Sequence, residues 1–379
     1  MGFGSGGGRV AESTKARVRR AAILRDEDYR RLLEQRTVGD IALELKKTSC
    51  APILERFSLE TARRAELEFL LNLSILLEGV AFRHYMGPGD RKLLDLWMEN
   101  FDIDLFKSHF RSKLGTGEWQ RANATELTDR VSDFRLTLLD HERLFASTTF
   151  REMLAAVKRE SLREELAEAI PQGRDAVDVS AGLDFHRTAF TVGMVLDRYY
   201  FDSLYTAVGA MSGNEGRMMR MLAGTRVDLN NLYWIYRGRR FFGMPPEEAL
   251  TLVMKVRFRA GFDLLTKAAF ADPAVFSSAL KDTPYERVFD VDEENVALRE
   301  ALVEKNMYRM LFGIVDRAFM SASPGFHNVA AYLMLKEFEV RDLVAVIEAV
   351  RYGFERGGVE RMLVRTLAGD ASTDLRQTA

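Results

Sequence analysis

The stretch TVGDIALELKKTSCAPIL at residues 37–54 decides the fold, because two later stretches repeat its pattern without a gap. They are TFREMLAAVKRESLREEL at residues 149–166 and DPAVFSSALKDTPYERVF at residues 272–289. In each copy, apolar residues fall at i, i+3 and i+7 from the second position, which is one face of an α-helix. Thr37 and Asp272 are residue types that favour the N-cap position. This first pattern therefore predicts a helical unit that occurs three times.

A second pattern recurs downstream of each copy, at residues 102–113, 228–239 and 339–350. Each copy begins with an acidic residue, and apolar residues again follow at i, i+3 and i+7. Both patterns repeat after 111 to 126 residues. This period is far longer than the roughly 34 to 47 residues of tetratricopeptide or HEAT repeats. A long amphipathic segment lies between the two patterns in every copy. We expect an all-α protein.

The repeats predict three helical domains, at residues 9–120, 121–245 and 246–369, with a flexible Gly-rich leader at 1–8 and a tail at 370–379. Helix-forming residues are plentiful, and only 8 of 379 residues are proline. The alternative is three unrelated bundles that look alike because all amphipathic helices share a period. Gapless agreement at two patterns in three copies favours the repeat.

Composition excludes several classes of protein. The 54 Lys and Arg residues nearly balance the 56 Asp and Glu residues, so no global field attracts nucleic acid. The single cysteine, Cys50, excludes a disulfide framework and a cysteine-based zinc site, and we expect it to be a packed or semi-exposed thiol rather than a nucleophile. Apolar stretches break after about nine residues, whereas a membrane span needs about 20. No signal peptide is expected.

The motifs of common enzymes are missing from the sequence. None of the five histidines lies in a metal-binding H-E-x-x-H or E-x-x-H spacing, and His84 and His327 lie beside Gly or Pro turns. No nucleophile elbow, kinase set or dinucleotide fingerprint occurs, and the Gly-rich start lacks the P-loop pattern. We expect no catalytic, cofactor-binding or metal-binding residue.

Four segments carry a resemblance to a known family. They are DEDYRRLLEQRTVGDIALELKKTSCAPIL at 26–54, LDRYYFDSL at 196–204, DLNNLYWIYRGRRFFGMPPEE at 228–248 and YLMLKEFEVRDLVAVIEAVRYGF at 332–354. The chain resembles the rotor-cap component of A/V-type rotary ATPases, which is known as the C subunit in bacteria and archaea and as the d subunit in eukaryotes. Cys50 stands where the family more often has Tyr, and the Gly-rich start departs from the usual Tyr-containing N-terminus.

This resemblance implies a funnel of three pseudo-symmetric helical domains on the cytoplasmic face of the proteolipid ring. Its central cavity would receive the foot of the central-stalk axle. The protein would transmit torque between ATP hydrolysis or synthesis and H⁺ or Na⁺ transport, without an active site or cofactor. It would touch the membrane only through the ring, bind no nucleic acid and be a monomer when isolated. Two alternatives remain: a helical scaffold for an unrelated protein partner, and an enzyme that uses carboxylates or Cys50.

The polar side of the second pattern suggests where a partner would bind. If these helices line the cavity, seven residues would meet the axle: Asp104, Lys107, Arg111, Asn230, Arg237, Arg341 and Glu348. The alternative interpretation is that these residues form an ordinary solvated helix face with ion pairs along it.

Overall fold

The computed structural model describes residues 6–55, 64–113, 138–169, 182–321 and 323–367. The α-helices of these residues are α1 (Gly6–Arg20), α2 (Asp26–Leu33), α3 (Val38–Leu45), α4 (Arg64–Arg83), α5 (Pro88–Lys113), α6 (His141–Ala146), α7 (Phe150–Ala155), α8 (Glu160–Glu168), α9 (Gly182–Gly209), α10 (Gly213–Phe241), α11 (Pro246–Thr251), α12 (Phe262–Phe270), α13 (Phe276–Ala279), α14 (Glu286–Phe289), α15 (Val296–Met320), α16 (Phe326–Tyr352) and α17 (Arg356–Met362). Two 3₁₀-helices add Ala51–Leu54 and Pro273–Val275. Within the described ranges no β-strand forms, which confirms the all-α prediction.

One order of elements occurs three times along the chain. Each series begins with a short helix, continues through the short helices of the first pattern and then forms two long helices joined by a turn. The first series runs from α2 to α5, the second from α6 to α11 and the third from α12 to α17. The division into three domains stays a prediction, and its first boundary, near residue 120, lies outside the described residues.

The chain packs as two compact units, each containing segments of all three predicted domains. Unit 1 comprises the chain up to Asp90, residues Met211–Leu229 and the chain from Val275. Unit 2 comprises Arg91–Ala210 and Asn230–Ala274. The core of each unit therefore depends on contacts between residues that are distant in sequence.

Helix α16 is the central helix of unit 1. Every residue from Phe326 to Lys336 is buried, and α16 packs against α1, α4 and α15. A helix that is buried on all sides needs apolar residues all round rather than on one stripe. This requirement explains the nearly continuous apolar run in its first half.

The first pattern gives the same burial at equivalent positions in its three copies. The buried equivalents are Ile41, Met153 and Phe276, followed by Leu45, Val157 and Leu280, and then Leu54, Leu166 and Phe289. Thr37 caps α3 by accepting a hydrogen bond from the backbone N–H of Asp40, as predicted. Asp272 instead accepts from the N–H of Ala274, so it caps a 3₁₀ turn rather than an α-helix.

The turn inside the first pattern also recurs. The Thr48 hydroxyl donates to the Leu45 carbonyl at 2.7 Å and accepts from the N–H of Cys50 at 3.2 Å. The Thr283 hydroxyl donates to the Leu280 carbonyl at 2.6 Å and accepts from the N–H of Tyr285 at 3.3 Å. Cys50 and Tyr285 are thus equivalent buried residues. Of the two environments predicted for Cys50, packed or semi-exposed, the structure shows the packed one, and burial raises the pKa of its thiol.

The acidic residue that begins each copy of the second pattern is buried and hydrogen-bonded. We call Asp102, Asp228 and Glu339 the lead acidic residues. Asp102 accepts from the N–H of Leu139 at 3.2 Å, and Glu339 accepts from the N–H of Leu24 at 2.7 Å. Each of these donors lies two residues before a short helix that opens a series. The third, Asp228, accepts from the Tyr285 hydroxyl at 2.6 Å.

Two more buried polar residues fix the chain that follows the long helices. Asn231 accepts from the N–H of Met254 at 2.8 Å, and Asp342 accepts from the N–H of Val364 at 2.6 Å. Both acceptors lie three residues after a lead acidic residue, and both donors lie just after the short helix that closes a series. Burial raises the pKa of Asp342 to about 7, although hydrogen bonds from two backbone N–H groups oppose this rise.

Helix α1 begins at Gly6, within the stretch 1–8 that we predicted to be a Gly-rich leader. Gly6–Gly8 form the first turn of α1, because docking of the turns that follow offsets the roughly 1 kcal/mol that each glycine costs in a helix. Residues 1–5 and the predicted tail at 370–379 lie outside the described residues.

We predict that Tyr285→Phe lowers the free energy of unfolding by about 1–3 kcal/mol, because Asp228 stays buried with one donor fewer. Urea unfolding measures this loss. Tyr352→Phe, at an exposed position, is the matched control and should change stability by less than about 0.5 kcal/mol. Equal effects of the two substitutions would contradict the role given to this hydrogen bond.

Candidate partner-binding site

The structure divides the seven predicted partner-binding residues between the two units. Asp104, Lys107 and Arg111 lie on α5, and Asn230 and Arg237 lie on α10, all in unit 2. The remaining two, Arg341 and Glu348, lie on α16 in unit 1.

In unit 2, Lys107 and Arg237 pack on one face of α9. The Lys107 ammonium lies 2.5 Å from an Asp197 carboxylate oxygen, and its aliphatic chain passes over Gly193. The Arg237 guanidinium lies 5.1 Å from the centre of the Phe190 ring. Phe190, Gly193 and Asp197 are spaced at i, i+3 and i+7, so α9 presents them together. Both cations join helices of unit 2 to one another.

In unit 1, Arg341 and Glu348 connect α16 to its neighbours. Arg341 lies 2.6 Å from Glu304 and covers the ring of Tyr308 at 4.1 Å, and both of these residues are on α15. Glu348 pairs with Arg64 on α4, which also pairs with Glu68 at 2.7 Å. These two predicted site residues hold a packed helix on either side of α16.

The remaining predicted residues are more accessible. Arg111 is exposed, and its Nε donates to the Lys107 carbonyl one turn earlier. The side chain of Asp104 is 64% exposed and accepts from the amide of Asn100 at 3.1 Å. Asn230 is half-buried. Among the seven, Asp104 and Arg111 are therefore the best placed to meet a partner.

Sequence reasoning missed an exposed aromatic pair at the end of α16. Tyr352 and Phe354 are 60% and 65% exposed, and their ring centres lie 5.9 Å apart. Gly353 between them has a φ of 67°, a left-handed conformation that ends the helix. Two aromatic residues beyond the apolar stripe of a predicted helix are the signal that could have revealed this pair.

A basic segment between α11 and α12 was also missed. Lys255, Arg257 and Arg259 alternate along an irregular stretch, and all three are exposed. The Arg257 guanidinium lies 5.8 Å from the ring of Phe262, which is 53% exposed. The alternation of basic and apolar residues over 255–259 was visible in the sequence. This basic segment lies outside both repeated patterns.

The described residues give no group of three or more His, Cys, Asp or Glu side chains arranged to hold a metal ion. His84 lies in the exposed turn after α4, as predicted, whereas His327 is fully buried in the first turn of α16. His141 and His109 contact Asp102 and Ser147, at 2.8 and 3.2 Å. No described helix is both long enough and apolar enough to span a bilayer.

We predict that a double-mutant cycle on Arg341 and Glu304 gives a coupling energy of about 0.5 kcal/mol, because both side chains are about one-third exposed. Urea unfolding of Arg341→Ala, Glu304→Ala and the double variant measures this energy. The coupling should weaken in 1 M salt. A coupling indistinguishable from zero at low salt would leave Arg341 available to a partner.

Comparison with known proteins gives one consistent result. A sequence profile described as ATP synthase (C/AC39) subunit matches residues 13–362. A protein of Pyrococcus horikoshii, named as the C subunit of an A-type ATP synthase, is 21% identical over 339 residues, which are 89% of this chain and 85% of that protein. A protein of the same name from Methanosphaera stadtmanae is 20% identical over 229 residues, 60% of this chain and 53% of that protein.

Proposed function

The chain belongs to the ATP synthase (C/AC39) subunit family, and we propose that it is a non-catalytic part of a rotary A/V-type ATPase that joins the central-stalk axle to the membrane proteolipid ring. In this role it transmits torque between ATP hydrolysis or synthesis and the transport of H⁺ or Na⁺. It lies on the cytoplasmic side of the membrane as a peripheral part of the complex.

The observation that carries this proposal is the extent of the family match. Residues 13–362 include all but the first turns of α1 and every later described helix, so the family relationship is not confined to one motif. Both relatives are named as subunits of an A-type ATP synthase. The finer role, with its axle and ring, is the part that needs an experiment.

The contacts inside each unit support a torque-bearing role. A part that transmits torque must resist local unfolding, and buried hydrogen bonds and packed helices raise the cost of local opening. The lead acidic residues tie long helices to segments far away in sequence, as Glu339 does with Leu24. Interhelical ion pairs such as Lys107–Asp197 add to this resistance.

We propose that the exposed part of α5, around Asp104 and Arg111, contacts the axle. Complementary charges at such a contact would set register and speed association more than they would add affinity. Within unit 2, Arg237 would then act indirectly, by joining α10 to α9, the helix on which Lys107 of α5 also packs. Arg341 and Glu348 join helices of unit 1 to one another.

We predict that Arg111→Glu weakens binding to purified central-stalk subunits roughly three- to tenfold, as expected for one exposed charge in a contact. Isothermal titration at low salt measures the change, and stability should be unaffected. Lys267→Glu, which reverses an exposed cation on α12, is the matched control. Equal loss in both variants, or none in Arg111→Glu, would contradict the assignment of this surface.

A pull-down separates the adaptor from a scaffold for an unrelated partner. The full-length chain should co-purify with central-stalk subunits and with the proteolipid ring. If it captures neither while remaining folded, the adaptor role is wrong even though the family assignment stands.

The funnel around a central cavity is also part of this proposal. We predict that a low-resolution solution envelope of the isolated monomer has a central hole wide enough for a helical axle. Small-angle X-ray scattering tests this shape. An elongated envelope without a hole would contradict the funnel.

A further inference from the structure

Helix α1 is not part of the threefold series. Within unit 1 it contacts helices that belong to each of the three series. It packs mainly on α16, where Ser13 accepts from the N–H of Gly325 at 2.9 Å. Arg19 pairs with Glu78 of α4 at 2.6 Å, and Arg20 pairs with Asp316 of α15 at 2.7 Å. The docked position of α1 therefore depends on many polar contacts.

The inward face of α1 carries a carboxylate that receives no hydrogen bond from the part of the chain that the structure describes. Helix α1 has five basic residues and one acidic residue, Glu12, and Glu12 is fully buried between Arg9 and Ala16 along that face. Neither carboxyl oxygen of Glu12 has a hydrogen-bond partner among the described residues. An ionised carboxylate in this position would pay a large desolvation cost.

The surroundings of Glu12 are mostly acidic. Asp90, at the start of α5, is also buried. Glu215, at the start of α10, pairs with Arg9 at 3.0 Å and accepts from the N–H of Phe326 at 2.6 Å. Arg9 is thus a cation near Glu12, and it also forms the ion pair with Glu215. The charges of Asp90 and Glu215 act on Glu12 in one direction, and the charge of Arg9 opposes them.

We propose that Glu12 and Asp90 form a proton-binding site that holds α1 against α16, so that α1 stays docked while Glu12 carries a proton and is released when that proton is lost. This inference concerns the N-terminal helix alone and does not depend on the proposed ATPase role.

The direction of the pH effect follows from linkage. Burial, with the charges of Asp90 and Glu215, raises the pKa of Glu12 to about 8, and Arg9 opposes this rise. The docked form therefore binds the proton more tightly than the released form, whose pKa is near the ordinary value of 4.5. The proton on Glu12 therefore stabilises the docked form fully below pH 4.5, and this stabilisation is lost as the pH rises through 8.

Other titratable groups at this interface do not reproduce that window. His327 on α16 is fully buried, and burial with the nearby charge of Arg17 lowers its pKa to about 4. His327 is therefore neutral throughout the range in which Glu12 would release its proton. Lys15 on α1 is partly exposed, and its pKa is lowered by burial and by Arg19, with Glu78 on α4 opposing. Loss of the Lys15 charge would itself weaken α1 at high pH, so the test must vary Glu12 directly.

The test is a distance measurement between nitroxide labels on the full chain. Val18→Cys and Tyr352→Cys provide exposed sites on α1 and α16, and the native Cys50 is buried and unlabelled. For the shift from 4.5 to about 8, the ratio of released to docked α1 should rise roughly thirtyfold between about pH 6.5 and about pH 9.5. Glu12→Gln in the same background should show little of this rise.

Two further variants keep the result decisive. Asp90→Asn removes the like charge beside Glu12, so the ratio of released to docked α1 should rise less with pH than it does when Asp90 is present. This variant replaces Glu12→Gln in the test if Glu12→Gln fails to fold. Asp316→Asn breaks an exposed ion pair of α1 and should favour release by the same factor at every pH. A full rise in Glu12→Gln, or no rise in the labelled protein with Glu12 present, would overturn the proposal.

Discussion

The structure depends on one constraint: a carboxylate buried among packed helices must receive hydrogen bonds. Each copy of the second pattern begins with such a residue, and each lead acidic residue accepts from a group far away in sequence. Because an unpaired buried carboxylate is costly, these bonds fix where a long helix meets the chain around the first pattern. Asn231 and Asp342 likewise accept backbone hydrogen bonds, from the segments that follow the long helices.

The polar side of the long helices follows from the same packing. Lys107, Arg341 and Glu348 look like members of a solvated face when the sequence is read one helix at a time. In the fold, each is half-buried and paired with a residue of another helix. Such pairs add modest stability, but they restrict how the helices can slide past one another. The torque-bearing role that we propose would require such a restriction.

Glu12 is the exception to the rule that the lead acidic residues obey. Its carboxyl group is as buried as theirs, yet none of the described groups donates to it. A bound proton can neutralise such a buried carboxylate where no backbone N–H donates to it. The docking of the helix that carries the carboxylate then depends on pH. The helix that carries Glu12 is also the one that the threefold series does not include.

The sequence by itself determined the all-α class and the apolar stripes of both patterns, because helical periodicity is a local property that a single chain displays directly. It also carried the family resemblance. Only the tertiary structure decided the two-unit packing, the partners of Lys107 and Arg341, and the burial of Glu12. A pair such as Lys107 and Asp197 is separated by 90 residues. No local period specifies such a contact, because it depends on how whole helices pack.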